Sequence, residues 1–160
     1  WEAAYQDAHD DETLFAAFES YVGELYEIAS SCDFDSLAHC TYPLRYFAYN
    51  GRMSALCEKP SAFVPLYDAV FRKLIERGKA LEINTSMVEE RGVMQPSADI
   101  IKLYKSLGGR LVTIGSDAHH FSLVGRGIKQ AETLLREVGF EGVTVFVGRK
   151  ARIIPFENAE

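Results

Sequence analysis

The sequence predicts an α/β domain in which short parallel strands alternate with amphipathic helices. Three observations carry this. Short apolar, β-branched-rich runs recur along the chain, the clearest being Leu111-Val112-Thr113-Ile114. Between them lie longer stretches whose apolar residues follow a three-four spacing. Glycines stand where the helical pattern stops, at Gly78, Gly108-Gly109 and Gly139.

Residues 11–30 form the first predicted helix. Asp11 and Glu12 suit its amino end through the helix dipole, and Leu14, Phe15, Phe18, Tyr21, Val22, Leu25 and Ile28 make a wide apolar face. A turn and a strand ending in Ser36-Leu37-Ala38-His39-Cys40 follow. Residues 41–60 are irregular, punctuated by Pro43, Gly51 and Pro60; Tyr42, Tyr46, Phe47 and Tyr49 suit either a lid or simple loop packing. A second helix is predicted over 61–78, with Phe63, Leu66, Tyr67, Val70, Phe71, Leu74 and Ile75 inward.

The next strand is Ala80-Leu81-Glu82-Ile83-Asn84. Glu82 within it is either wet or paired, since an unpaired buried acid is costly. Asn84, Thr85 and Ser86 at its carboxyl end suit orienting a ligand or capping a turn. A polar loop over 87–95 leads to a helix opened by Pro96-Ser97 and ending near Leu107. After the strand at 111–114, a helix is predicted from Ser122 or Leu123, with Ile128, Ala131, Leu134, Leu135 and Val138 inward. A strand at 143–147 and a short one at Ile153-Ile154 close the chain. Helix–strand alternation of this kind implies right-handed crossovers, as in half or more of a (β/α) barrel or in a small doubly wound sheet.

The 160 residues suffice for one domain with a real core. With 48% hydrophobic and 25% charged residues, the chain belongs with globular rather than disordered proteins. A net charge of -6 and the lack of a Lys/Arg block argue against a nucleic-acid partner. No apolar run has membrane-spanning length, and no signal-peptide pattern opens the chain. Three cysteines, Cys32, Cys40 and Cys57, cannot all pair and show no C-x-x-C spacing, so free thiols in a cytoplasmic setting are expected. The chain opens at Trp1 without an initiator Met, which suggests the middle of something longer.

Candidate chemistry gathers at strand ends. Gly115-Ser116 lets the backbone leave the sheet, and Asp117 and His119 then stand at the strand's carboxyl end, where parallel α/β folds place their ligands. Two apart in an extended segment, they point to one side. A carboxylate and an imidazole suit a divalent ion; a helix cap is the plainer use of the Asp. His39 falls at another strand end, where a hydrogen-bonding histidine is the plainer alternative. Arg45 suits either a phosphate contact or a surface ion pair. His9 lies in an acidic, solvated context. The absence of a Gly-rich phosphate loop disfavours a nucleotide-binding domain.

The segments Leu81-Glu82-Ile83-Asn84-Thr85-Ser86, Gln95-Pro96-Ser97 and Gly115-Ser116-Asp117-Ala118-His119 resemble the histidinol-phosphate phosphatases of the PHP (polymerase and histidinol phosphatase) superfamily. Leu37-Ala38-His39 with Leu44-Arg45-Tyr46-Phe47 resembles the family's third motif, and Phe146-Val147-Gly148-Arg149-Lys150 fits its closing strand. The likeness runs from about Asp11 onward. It implies the carboxyl-terminal part of a distorted (β/α)7 barrel, residues 1–160 forming a partial PHP domain. It also implies hydrolysis of L-histidinol phosphate to histidinol in histidine biosynthesis, with divalent metals (Mn, Zn or Fe) at the strand ends. By resemblance His39, Asp117 and His119 are metal ligands. Arg45 is a catalytic and substrate-binding group that meets the phosphate, and Asn84 is a further substrate-binding residue.

The family's opening His-x-His motif has no match here, and His9, without partner or strand, takes no ligand role. His120 is a neighbouring polar residue. Cys40 beside His39 should face the other way, which disfavours a Cys-His nucleophile pair. The expectation is a portion of the enzyme that alone is inactive, holds one ion weakly or none, and self-associates through exposed strand edges. The alternatives are a PHP phosphoesterase for another small phosphorylated substrate and a non-catalytic PHP interaction domain.

Overall fold

The computed structural model describes residues 10–44 and 60–156. Helix α1 is Asp11–Ser31; the Asp10 carboxylate caps it by accepting the Thr13 N–H at 2.8 Å. Leu14, Ala17, Phe18, Tyr21, Val22, Leu25 and Ala29 are its buried residues. Ile28, expected inward, is exposed. The step from Leu25 to Ala29 keeps the stripe on its line, and Ile28 is left at the edge.

Strand β1 is Ser36–Leu37, shorter than expected. Where one helix was expected over 61–78, there are two pieces: a 3-10 helix Pro60–Tyr67 and then α2, Asp68–Glu76. Pro65 inside the first piece explains the break. It has no N–H for an i→i−4 bond, and its ring crowds the preceding turn. Strand β2 is Ala80–Asn84. A short helix α3, Val88–Arg91, interrupts the expected loop; Gly92 closes it in the left-handed conformation. Helix α4 is Ala98–Ser106 and β3 is Val112–Gly115.

The three strands pair in parallel in the order β1-β2-β3. Leu37, Leu81, Ile83, Val112 and Ile114 share one face of this sheet. They join a core with Phe18 and Leu25 of α1, Phe71 of α2 and Ile100 and Tyr104 of α4. The register puts Ser36, Ala80, Glu82, Asn84, Thr113 and Gly115 on the other face. There the Ser36 hydroxyl meets the Thr113 hydroxyl at 2.7 Å, reaching from the first strand to the third over Ala80. In a flat sheet these strands would lie about 10 Å apart. Two side chains this short meet only because the sheet curls toward its polar face.

The fourth expected strand does not extend the parallel sheet. Strand β4, Gly142–Val147, pairs antiparallel with β5, Lys150–Pro155. Gly148 and Arg149, both at positive φ (56 and 63), form the tight two-residue turn that a right-twisted hairpin favours. The hairpin packs at the amino-terminal ends of the parallel strands. The buried Thr144 hydroxyl accepts the N–H of Val112, the first residue of β3, at 3.1 Å. Arg149 donates to Asp33 (2.8 Å) and Asp35 (3.2 Å), just before β1. A hydrogen bond from Lys79, with the charge of Arg149, holds the Asp33 carboxyl below its ordinary pKa.

The last helix starts later than expected. Phe121–Leu123 is a 3-10 turn, and α5 spans Ile128–Val138. Gly125 and Gly127 between them have positive φ (83 and 68), which no right-handed helix can continue through. Among the described residues no helix is long and apolar enough to cross a membrane.

Candidate functional site

Tyr21, His39, Tyr42, Asp117 and His119 line a cleft of about 400 Å³ at the carboxyl ends of the parallel strands. Two turns build it. Past β1, His39 takes a left-handed conformation at φ 56; past β3, Asp117 does the same at φ 47. For residues with a Cβ this costs roughly 1–2 kcal/mol, sustained only by surrounding structure. At His39 that structure is explicit. Its carbonyl accepts the Tyr21 hydroxyl at 2.7 Å and the Tyr42 N–H at 2.9 Å, and its own N–H donates to Glu82 Oε2 at 3.3 Å. Burial pushes the Tyr21 phenol up, so Tyr21 stays a donor throughout the ordinary pH range.

At the β3 end, His119 Nε2 lies 3.5 Å from Asp117 Oδ1. They come together although the segment is not extended, because Asp117 turns left-handed and folds the chain back. Asn84 Nδ2 reaches Asp117 Oδ2 at 3.4 Å, and Asn84 Oδ1 accepts the Ser86 N–H at 2.9 Å. The buried carboxamide therefore caps its own turn and steadies Asp117 together. His120 caps the 3-10 turn, its Nδ1 accepting from Ser122, and takes no place in the cleft lining.

His39, Asp117 and His119 thus share one cleft, but not one coordination point. His39 Nδ1 stands 4.0 Å from Glu82 Oε2, whereas His119 is 89% exposed beside Asp117. Among the described residues no group of three His, Cys, Asp or Glu side chains is placed to hold a metal ion. The donor types suit a borderline divalent ion, but the described residues fall short of a closed site. Arg45 lies outside the described residues, as do His9 and Cys57. Cys40 is buried, and burial followed by the charge of Glu82 pushes its thiol up, so it is no nucleophile. The reason is this burial rather than strand alternation, since β1 ends before it. Cys32 and Cys40 are free thiols.

Sequence reasoning missed three members of this site. Tyr21 looks like an ordinary member of the α1 apolar stripe, although a tyrosine in such a stripe needs a partner for its hydroxyl. Tyr42 was expected to serve a lid or simple loop packing; it lines the cleft. Glu82 was left between wet and paired; it is paired with the His39 turn.

No family model matches the chain. It is 39% identical over 113 residues to a probable histidinol-phosphatase of Thermotoga maritima, covering 70% of this chain and 44% of that protein. It is 30% identical over 118 residues to the histidinol-phosphatase of Lactococcus lactis subsp. lactis, covering 74% and 42%. The chain is histidinol-phosphatase-like. A probable histidinol-phosphatase of Clostridium acetobutylicum is 37% identical over 97 residues, covering 61% and 36%. The fold is similar to a crystal structure of histidinol phosphate phosphatase from Lactococcus lactis subsp. lactis, complexed with zinc, L-histidinol and phosphate. There the TM-score is 0.61 at 23% identity, over 85% of this chain and 51% of that one. This histidinol-phosphatase-like chain therefore has a mixed α/β fold with a parallel sheet, and it spans less than half the length of the curated relatives it matches.

Proposed function

We propose that this chain supplies the carboxyl-terminal strands of a PHP-type (β/α) barrel. The protein it serves is a metal-dependent phosphomonoesterase that hydrolyses L-histidinol phosphate to histidinol, a step of histidine biosynthesis. The observation that carries this is the cleft: His39, Asp117 and His119 line it together at the carboxyl ends of parallel strands, in a chain similar to named histidinol-phosphatases. The sheet's curl toward its polar face supports the barrel.

In this reading His39 on one side of the cleft and Asp117 with His119 on the other are ligands to divalent ions, Zn, Mn or Fe, whose coordination is completed by groups beyond the described residues. Such an ion, when bound, supplies water activation and charge neutralisation at phosphorus. Asn84 holds Asp117 in place and offers its remaining amide N–H to the substrate. Arg45 meets the phosphate with its planar fork. The exposed Val145, Val147 and Ile154 of the hairpin and the short edge strand β1 support self-association of this chain, to be checked by sedimentation velocity over a concentration series.

The test is phosphate release by the full coding sequence that carries this chain, supplied with Zn, Mn or Fe. Selective hydrolysis of histidinol phosphate, lost in Asp117→Ala, is the expected result. Equal turnover of generic monoesters would move the assignment to another small phosphorylated substrate. No turnover of any monoester would make the domain an interaction module.

A further inference from the structure

We propose that Glu82 is a positioning residue for this cleft, the group that holds the His39 turn in its left-handed conformation and ties it to the turn that carries Asp117. The inference starts from where a carboxylate has been put. Glu82 lies on β2, the central strand, between the two strands whose ends carry the cleft. Its side chain is only 18% exposed, an expensive place for a charge unless the charge has a use.

Its two oxygens are divided between the two turns. Oε2 accepts the His39 N–H at 3.3 Å and stands 4.0 Å from His39 Nδ1. Oε1 lies over Gly115, so close that a Cβ built there would sit 2.5 Å from it. Gly115 has no positive φ that would demand a glycine, so the missing side chain serves to leave room for the carboxylate. The backbone from Gly115 runs directly into Ser116-Asp117.

The His39 turn needs such a hold. Its carbonyl is fixed from two sides by Tyr21 and Tyr42, which leaves the N–H as the remaining handle on its backbone, and Glu82 takes it. A left-handed residue with a Cβ relaxes unless its surroundings over-determine it. This hold on the backbone stands apart from the phosphatase reading above.

The test is amide hydrogen exchange by NMR on the chain, comparing His39 with Ile83 of the same sheet. In Glu82→Ala, His39 exchange should accelerate about tenfold while Ile83 is unchanged. Glu82→Gln should rescue it, because the glutamine carbonyl still accepts the N–H. Gly115→Ala should accelerate His39 as Glu82→Ala does although Glu82 remains, because the new methyl displaces the carboxylate. Unchanged His39 exchange in Glu82→Ala and Gly115→Ala would overturn the proposal, as would equal acceleration at His39 and Ile83, which marks a global effect. If Glu82→Ala does not fold, Gly115→Ala and Glu82→Gln still decide. Titration of zinc alone into the protein made from the full coding sequence separates the two claims: no zinc binding there, with a responsive His39 amide, would count against the metal role and for Glu82 as the positioning residue.

Discussion

Replacing Asn84 offers a direct measure of how the cleft holds its carboxylate. The carboxamide is 2% exposed and works at both ends, accepting the Ser86 N–H at 2.9 Å and donating to Asp117 at 3.4 Å. Asn84→Asp keeps an acceptor for Ser86 but puts a second carboxylate oxygen where the amide nitrogen was. Two unit charges at that separation repel by about 5 kcal/mol at an effective dielectric near 20. Asp117 is 28% exposed, and solvent reduces the cost to roughly 2 kcal/mol. Asn84→Ala removes the charge question but leaves the buried Ser86 N–H without its acceptor, at about 1–3 kcal/mol. The two losses are similar in size and different in kind. Urea unfolding followed by circular dichroism near neutral pH, at low and high ionic strength, tells them apart. A loss of about 2 kcal/mol moves the midpoint by roughly 1 M. High salt should recover part of the Asn84→Asp loss, since Asp117 is partly exposed, and leave the Asn84→Ala loss unchanged. An Asn84→Asp chain as stable as the parent at low salt would show that the amide does not face Asp117.

Three further outcomes are expected. Thr144→Val should cost about 1–3 kcal/mol by orphaning the buried Val112 N–H, and Thr144→Ser under about 1 kcal/mol, in the same urea assay. Gly127→Ala should cost at least about 2 kcal/mol in thermal unfolding, since φ is +68 and the new Cβ would stand 2.8 Å from Thr85 Cβ. Burial pushes the Tyr104 phenol from 10.0 up to about 12, so the folded state keeps a proton that the unfolded state releases earlier. Its stabilising effect is whole below pH 10 and is lost as pH rises through about 12; Tyr104→Phe should flatten that alkaline decline in a pH series of melts, after the loss of its hydrogen bond to the Leu111 carbonyl.

Much of the fold was legible because its signals are local. The α1 stripe, the Ala80–Asn84 strand and the helix ends at Gly78 and Gly139 follow from periodicity and left-handed stops. The failures have local causes too, passed over. Pro65 splits a helix that periodicity alone would join, and Gly125 with Gly127 postpones the last one. What could not be read is which partner a strand takes. Residues 142–147 are as apolar as β3, yet Gly148-Arg149 turns them into a hairpin instead of a fourth parallel strand. The site was half legible for the same reason. Asp117 and His119 are neighbours in sequence, and His39 stands out at a strand end. Glu82 and Tyr21 join them only through contacts 43 and 18 residues apart in the chain.

The two ends of the parallel sheet are treated differently, and this decides where chemistry is possible. At the amino-terminal ends the hairpin lies across the strands, held by the Thr144 hydroxyl and by Arg149 between Asp33 and Asp35. Those contacts satisfy backbone and charge, and they leave nothing facing solvent that must stay reactive. Past the carboxyl ends of β1 and β3 the chain turns at positive φ, at His39 and Asp117, and polar groups replace apolar ones: Glu82, Asn84, Asp117 and His39. A strained left-handed turn is tolerable there because the polar groups beside it supply the hydrogen bonds that hold it. Glu82 and Asn84, both on the central strand, each brace one of the two turns, His39 by its N–H and Asp117 by its carboxylate. The central strand therefore supplies the braces and its neighbours supply the exposed donors. If that division holds, loss of a brace should loosen one turn and leave the parallel core folded, whereas loss of the Thr144 contact should weaken the core and leave both turns as they are.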